Sequence, residues 1–544
     1  MKKYIYIIAL LATTGLQAQT LNVNNNDGSF LPFELKEVND ITFNETDKIV
    51  AVSFKNGVQH SFYTEAVESI SPKTDKSNKL TYNLTPTVAF DNNDKKNFNE
   101  VVETIPTKET EDNDFGDFVE KFNIENTINI VFSENDVTVS SEDIDYTKSG
   151  THLTINSDLS KVGYLVSGKC SNGSLKIYSE KKFQIMLCGL NLTNPKGPAI
   201  NIQTGKTVYF TIDDNTTNTL CDGTSYGASP NGEDQKGTLF SEGQLIFNGY
   251  ADGTGILNVT SLGGHGICSD DYIRIRSGNI NIVKALKDGF HTNDKFIVGR
   301  TANASPKITV NATNDGIDCG KGEVTINAGT IELTTGGEGI KAECETTISQ
   351  NVTINGGYIK ITTTGEKSSG IKSLYAYNQT GGIIHGTVQG DGSKILNCDS
   401  DVTISGGKII GFAQGSVLDE STLAGGIKCE GTLEIQKGTI AIECTDKGAK
   451  GINCNNITIK NGDVTILSTA QNLNGTKTFP SIAVETSNLA INDGSLKLKA
   501  YDNAISANNV SITKGKLHAI SESETAIDAS VAQSGGWILT KENE

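Results

Sequence analysis

From about residue 245 to 530 the chain repeats one phrase: a short β-rich run, an Asn-Gly or Gly-Gly turn, a second β-rich run, and a Gly-Ile step. The step occurs at Gly266-Ile267, Gly289-Phe290, Gly316-Ile317, Gly339-Ile340, Gly370-Ile371, Gly426-Ile427 and Gly451-Ile452, and decays to Ser481-Ile482, Ala504-Ile505 and Ala526-Ile527. Its spacing is 22 to 31 residues, with one interval of 56. Between steps the phrases match closely, as in Val324-Thr-Ile-Asn-Ala-Gly-Thr-Ile-Glu-Leu333 and Val352-Thr-Ile-Asn-Gly-Gly-Tyr-Ile-Lys-Ile361.

Alternating Val, Ile and Thr favour strands with one buried face, and the glycines supply the positive φ angles of tight corners. A single unit of this size cannot bury its own apolar side, so units must stack. The period predicts an all-β fold, a right-handed parallel β-helix. Two residues after each step apolar residue lies a column of mostly small residues: Thr292, Cys319, Ala342, Ser373, Cys429, Cys454, Val484, Ala507 and Ala529. Cysteine there acts as a small buried apolar group. The ten cysteines contain no CxxC pair and no zinc spacing. A Cys429–Cys454 disulfide is the alternative to packed thiols.

Residues 1–19 read as a signal peptide: Lys2 and Lys3, an apolar run over 5–11, and a Leu16-Gln17-Ala18 exit. Export to the cell surface, periplasm or medium is therefore expected. No later stretch is long and apolar enough to span a bilayer as a helix. Loss of Lys2 and Lys3 takes the formal charge from −18 to −20, with no basic stripe, which makes nucleic acid a poor partner.

Residues 20–75 carry two related phrases, over 33–43 and 62–71, and predict a small N-terminal β unit that resembles the modules opening many secreted Bacteroidetes proteins. Residues 76–125 lack periodicity and read as a linker or an irregular edge of the next domain. The β-helix is expected over 126–540, with capping strands at 126–244, regular rungs at 245–530, and a C-terminal cap at 531–540 in which the lone Trp537 covers the open end.

Residues at one place in the phrase form columns about 4.8 Å apart, the spacing of adjacent strands. Asp288, Asp315 and Glu338 precede successive step glycines, and Asp271 and Asp294 share the position four after the step apolar residue. With Asp270 and Asp318 they make a candidate carboxylate cluster. Stacked carboxylates repel unless protonated or bridged, and Ca²⁺ takes six to eight oxygens. The alternative is that these residues close Asx turns. Lys341, Lys372 and Lys428 follow step isoleucines, point outward, and are candidate ligand contacts or a solvated face balanced by nearby Glu. Tyr375 and Tyr377, in the insert after Gly370, are candidate stacking platforms, and residues 377–397 lack the rung phrase. His291 is a candidate for reaching a cation-bound ligand, against a turn-packing role.

One series carries a resemblance: Gly163-Tyr-Leu-Val-Ser-Gly168, Met186-Leu-Cys-Gly-Leu-Asn-Leu192, Thr217-Asn-Thr-Leu-Cys-Asp-Gly223, Gly266-Ile-Cys-Ser-Asp-Asp271 and Asp288-Gly-Phe-His-Thr-Asn-Asp294. It is similar to the β-helical carbohydrate-binding domains first recognised in a cellulose-degrading Clostridium, over roughly residues 125–345. That resemblance implies a parallel β-helix shaped like pectate lyases, bound calcium, and binding of cellulose and acidic sugars without established catalysis. The chain departs from the pattern at His265 and Lys321, which stand where the family places acids.

The resulting expectation is a non-catalytic, calcium-dependent binder of acidic or plant-type polysaccharide. The alternatives are a structural adhesin, with the 377–397 segment as its contact loop, and a polysaccharide lyase. A lyase needs an unprotonated base beside the metal, for which Arg274, Arg276, Lys284 and Lys287 are the nearby candidates.

Overall fold

The computed structural model describes residues 20–26, 30–73, 86–110, 115–141, 143–250, 252–343, 352–471 and 479–541. The expected signal peptide, part of the expected linker, and Cys344 lie outside the described residues. Two compact units make up the chain: Phe90–Asp401 with Ser405–Ile409, and Met1–Ala89 with Val402–Ile404 and Ile410–Glu544.

The larger unit is a parallel β-solenoid with three strands per turn. Its first face runs through the step residues: Ile267, Phe290, Ile317, Ile340, Ile371 and Leu396 are register partners on successive strands. The second face stacks Ile273–Ile275, Lys295–Val298, Glu323–Ile326, Val352–Ile354 and Tyr377–Gln379. The third stacks Asn279–Ala285, Lys307–Ala312, Thr330–Thr335, Tyr358–Thr363 and Ile383–Val388. Branched residues at alternate positions face inward, as Ile331 and Leu333 do, and are almost wholly buried.

Glycine is required at two kinds of corner. Gly329 and Gly357 turn with φ of 98° and 90°. The step glycines allow close packing, since a Cβ on Gly289 would lie 2.3 Å from Val310 Cγ1.

Regular rungs begin earlier than expected. Val162–Cys170 already pairs in parallel with both Asn126–Phe132 and Phe183–Asn194, and the ladder continues through Val208–Ile212 and Leu245–Gly249. The segment 126–244 is thus largely rung rather than cap. The supposed 377–397 insert is also an ordinary rung, because Ile371 pairs with Leu396 and the step glycine is simply replaced by Ile395.

Residues 90–122 are not a free linker. They form an irregular edge on the solenoid: Val101 N and Glu103 N donate to the carbonyls of Asn327 and Arg300, and Gly357 N donates to Asn99 O. Asp94 receives Lys408 Nζ at 2.8 Å and lies 2.8 Å from His385 Nε2, whose ring stacks on Phe90.

In the smaller unit the rungs pair Gly425–Ile435, Lys450–Ile459, Ile482–Ile491 and Ile505–Ile512. Here the expected phase is corrected: Ile452 pairs with Val484 and Cys454 with Thr486, so the step is Ala483-Val484 and the small-residue column continues through Thr486. Elsewhere the column holds, with Thr292, Cys319, Ala342 and Ser373 in register, and Cys429 opposite Cys454. Every described cysteine is a free thiol, Cys429 and Cys454 included.

The N-terminal residues form an antiparallel sheet, Thr20–Asn25 between Phe30–Glu34 and Val67–Lys73, and a meander of Val38–Asn44, Ile49–Phe54 and Val58–Tyr63. Leu21, Val23, Phe33, Val50, Val52 and Phe62 fill its core. The meander's last strand pairs with Trp537–Lys541, which is itself in parallel register with Lys516–Ser521. The N-terminal module, rather than the Trp537 segment, therefore covers the terminal rung. Trp537 lies in that rung, with the His60 and His518 rings each 4.8 Å away.

Candidate functional site

The first face of the larger unit presents one outward residue per rung. Register places Cys268, His291, Asp318, Lys341, Lys372 and Asn397 in a single column. The corner before that face carries a second, mostly buried column: His265, Asp288, Asp315 and Glu338, each next to a step glycine. The columns meet at Asp288, Asp315 and Asp318, each of which offers an oxygen within 4.8 Å of the others.

The hydrogen bonds in this cluster are unevenly shared. Asp288 Oδ1 accepts from Asn314 Nδ2 at 2.5 Å and from Asp315 N at 3.0 Å, while its Oδ2 lies 3.0 Å from His265 Nδ1 and 3.3 Å from His291 Nδ1. The imidazoles of His265 and His291 stack at 4.5 Å. His291 Nδ1 donates to Asp318 Oδ2 at 2.9 Å. Asp315 Oδ1 accepts from Glu338 N at 2.8 Å. Asp318 Oδ1 is buried without a hydrogen-bond partner, with Lys341 Nζ 3.6 Å away.

Electrostatics follow from this geometry. Burial opposes charge on His291, but the bonds to Asp288 and Asp318 outweigh it and push the imidazole up to about 9. Burial likewise opposes charge on Asp288, yet hydrogen bonds from the two histidines hold it well below the usual carboxylate range. Asp315 moves the other way: burial and the neighbouring Glu338 and Asp288 charges raise it. Lys341 is held above the ordinary lysine range because contact with Glu343, Asp318 and Asp315 overcomes its partial burial. The cluster thus contains two resident cations, His291 and Lys341.

The seven predicted carboxylate ligands do not form one site. Asp288, Asp315 and Asp318 converge, with Glu338 beside Asp315. Asp271 and Asp294 stand at the opposite corner of the face, where Asp294 N donates to Asp271 O and burial with the Asp294 charge raises Asp271. Asp270 belongs to a third group with Asp234 and Glu242, and it accepts from Lys236 Nζ at 2.6 Å. The groups separate because they occupy different places in the phrase, one at the corner before the face and the others at the corner after it.

The ligand candidates also divide. Lys341 and Lys372 stack on successive rungs, and Lys372 Nζ lies 3.9 Å from Glu338. Lys428 lies in the smaller unit and pairs with Glu430 at 2.5 Å. Tyr375 is half-buried. Tyr377 is 1% exposed and donates to Gln379 inside the solenoid, so its ring is no platform for sugar.

Arg274 and Arg276 are not free bases. They are buried in a network with the 90–122 edge: Arg276 Nε donates to Glu103 at 2.7 Å, its Nη1 and Nη2 donate to Glu120, and Arg274 donates to Glu103 and Asp117. Lys284 and Lys287 are exposed.

Sequence reasoning missed His265 as a member of the cluster, although it occupies the same place before a step glycine as Asp288. It also missed Lys236, Asp234 and Glu242, which share no repeat position.

A family model described as "Carbohydrate-binding domain-containing protein" matches residues 149–475 and 414–537. The chain belongs to this family. The carbohydrate-binding match spans every residue of the cluster just described and all but the first rungs, and it makes a polysaccharide the partner of this chain. A solved polysaccharide lyase-like protein from C. thermocellum, a gadolinium derivative, is 23% identical over 57% of this chain and 96% of its own, with a TM-score of 0.35. No curated protein matches the chain.

Proposed function

We propose that the protein is an exported, non-catalytic polysaccharide-binding solenoid whose cluster at Asp288, Asp315 and Asp318 takes Ca²⁺ and engages acidic sugar chains through it. The observation that carries this reading is Asp318 Oδ1, a buried carboxylate oxygen that makes no hydrogen bond, with Lys341 Nζ 3.6 Å away and two further carboxylates beside it. The donor set fits a hard cation on its oxygen side: Asp318 and Asp315 are the residues that would hold it, with Asp288, whose oxygens already accept from amide and imidazole donors, closing the site. When bound, calcium supplies positive charge that a uronate carboxylate recognises. Lys341 is its competitor for Asp318, and once displaced it stands with Lys372 on the same outward column, available to sugar carboxylates.

Export rests on the sequence of residues 1–19. The non-catalytic reading is supported by the two arginines being consumed in buried ion pairs.

The test combines thermal melts and affinity electrophoresis of the mature protein. Calcium at 100 times its Kd is expected to stabilise by about 2.7 kcal/mol. Asp318→Asn should abolish that response, and chelator should abolish retardation in polygalacturonate gels. A calcium response identical in wild type and Asp318→Asn would refute the site. Rising absorbance at 235 nm would refute the non-catalytic reading.

A further inference from the structure

In the smaller unit a cavity of about 850 Å³ opens between the N-terminal module and the terminal rungs. Module residues Phe30 and Glu65 line one side, and Asp493, Lys514, Lys516 and Trp537 line the other. We propose that this groove is a second carbohydrate site, specific for a neutral sugar chain and independent of any metal.

Three observations support it. Its walls are mainly apolar and include the chain's single Trp and a Phe that is 45% exposed, so two aromatic rings line one groove. Pyranose rings present flat C–H faces that such rings cover, while a few convergent polar groups fix orientation. Trp537 is partly buried, packed against the module's core with the His60 and His518 rings each 4.8 Å away, so the part of the indole that lines the groove is already ordered and little side-chain entropy is lost on binding.

Polar groups are supplied at the rungs. Lys514 Nζ pairs with Asp493 at 2.6 Å, and both face the cavity. Glu65 is paired with Lys48 at 2.5 Å. The lining therefore holds two acids and two lysines, a near-neutral balance on a chain of formal charge −18. A polyuronate would meet repulsion from that overall charge with no compensating patch here, whereas a neutral glycan pays no such cost. Its hydroxyls can both donate to Asp493 and Glu65 and accept from the lysines.

This inference rests on the carbohydrate-binding reading but places a different ligand class at a different site. The experiment uses the full mature chain and the fluorescence of Trp537, its only indole. Titration with a neutral β-glucan oligosaccharide, in chelator, should give a saturable change in emission, and Phe30→Ala should weaken binding by about tenfold. Phe30 is too exposed for its removal to unfold the module, and an unchanged melting temperature would verify this.

Gels containing neutral glucan or polygalacturonate run in parallel separate the failures. Retardation by neutral glucan without an emission change, or with Phe30→Ala binding as wild type, overturns the groove and leaves carbohydrate binding intact. Retardation by polygalacturonate alone also overturns the groove. No retardation by either gel overturns the functional reading and the groove with it.

Discussion

Arg276 offers the sharpest quantitative test of how the irregular edge is held. Its side chain is 1% exposed, gives one hydrogen bond to Glu103 at 2.7 Å and two to Glu120, and lies 4.4 Å from the Phe118 ring centroid. Arg276→Met keeps much of the apolar volume and removes the charge. Breaking a buried pair in this way costs about 3–5 kcal/mol, because the remaining carboxylate stays desolvated. Two features push the value to the lower end: Glu103 keeps Arg274 at 2.7 Å, and Glu120 is 39% exposed and can rehydrate. A loss of about 3 kcal/mol in local opening corresponds to about a hundredfold faster amide exchange. The amides to follow are those of Val101 and Glu103, which bond Asn327 O and Arg300 O. The double variant Glu103→Gln/Arg276→Met should recover part of the loss. Less than a threefold change in exchange for Arg276→Met would refute the claim that this network anchors residues 90–122.

Acid should loosen the N-terminal module. Burial lowers His60 to about 3 and His518 to about 4 from an ordinary 6.5, so protons bind the unfolded state first as pH falls below 6.5. Stability is full above 6.5 and declines toward those folded values, by about 2 kcal/mol per histidine at pH 5; a melting temperature equal at pH 7.5 and 5 would refute the assignment, and His60→Phe should flatten the profile. Gly322→Ala should cost about 3 kcal/mol or more, since a Cβ there would fall 1.3 Å from Asp294 O, a backbone atom that cannot swing aside. A soluble Gly322→Ala protein melting within 2 °C of wild type would contradict that clash (about 1 kcal/mol).

The parts of the fold visible in the sequence are those written into the local phrase. Glycine at 329 and 357 and the alternation in 330–335 and 358–363 encode turn and strand within a few residues, so the rungs could be placed by inspection. Errors arose where the phrase lost its mark. Ile395 took the place of a step glycine and hid a complete rung, and Ile482 and Val484, both branched and both buried, left the phase ambiguous by two. The segment 90–122 stayed open between linker and irregular edge for a different reason: its anchoring comes from ion pairs such as Arg276 with Glu103, 173 positions apart, which no period records. For the cluster, the column of Asp288, Asp315 and Glu338 was legible in the phrase and Asp318 was added from another position, but a position count cannot tell a corner from a face. That is why Asp270, Asp271 and Asp294, which fall in other groups, were placed with them.

The strand pairing of Val58–Tyr63 with Trp537–Lys541, with a side-chain hydrogen bond from Gln533 to Ser61 O beside it, ties together residues 472 positions apart. During synthesis the module's strand emerges first and its partner arrives only after the rungs that lie between them in the sequence have been made. Until then each waits with an unpaired row of amides and carbonyls, the kind of edge on which chains associate with one another. Docking of the module thus depends on the strand from residue 537: a chain broken off before it retains stacked rungs and the module but cannot join them by this pairing, and should be recognised by its tendency to self-associate. Because this closure joins sites so distant in sequence, it is expected to be the slowest step in folding, following rung formation rather than guiding it.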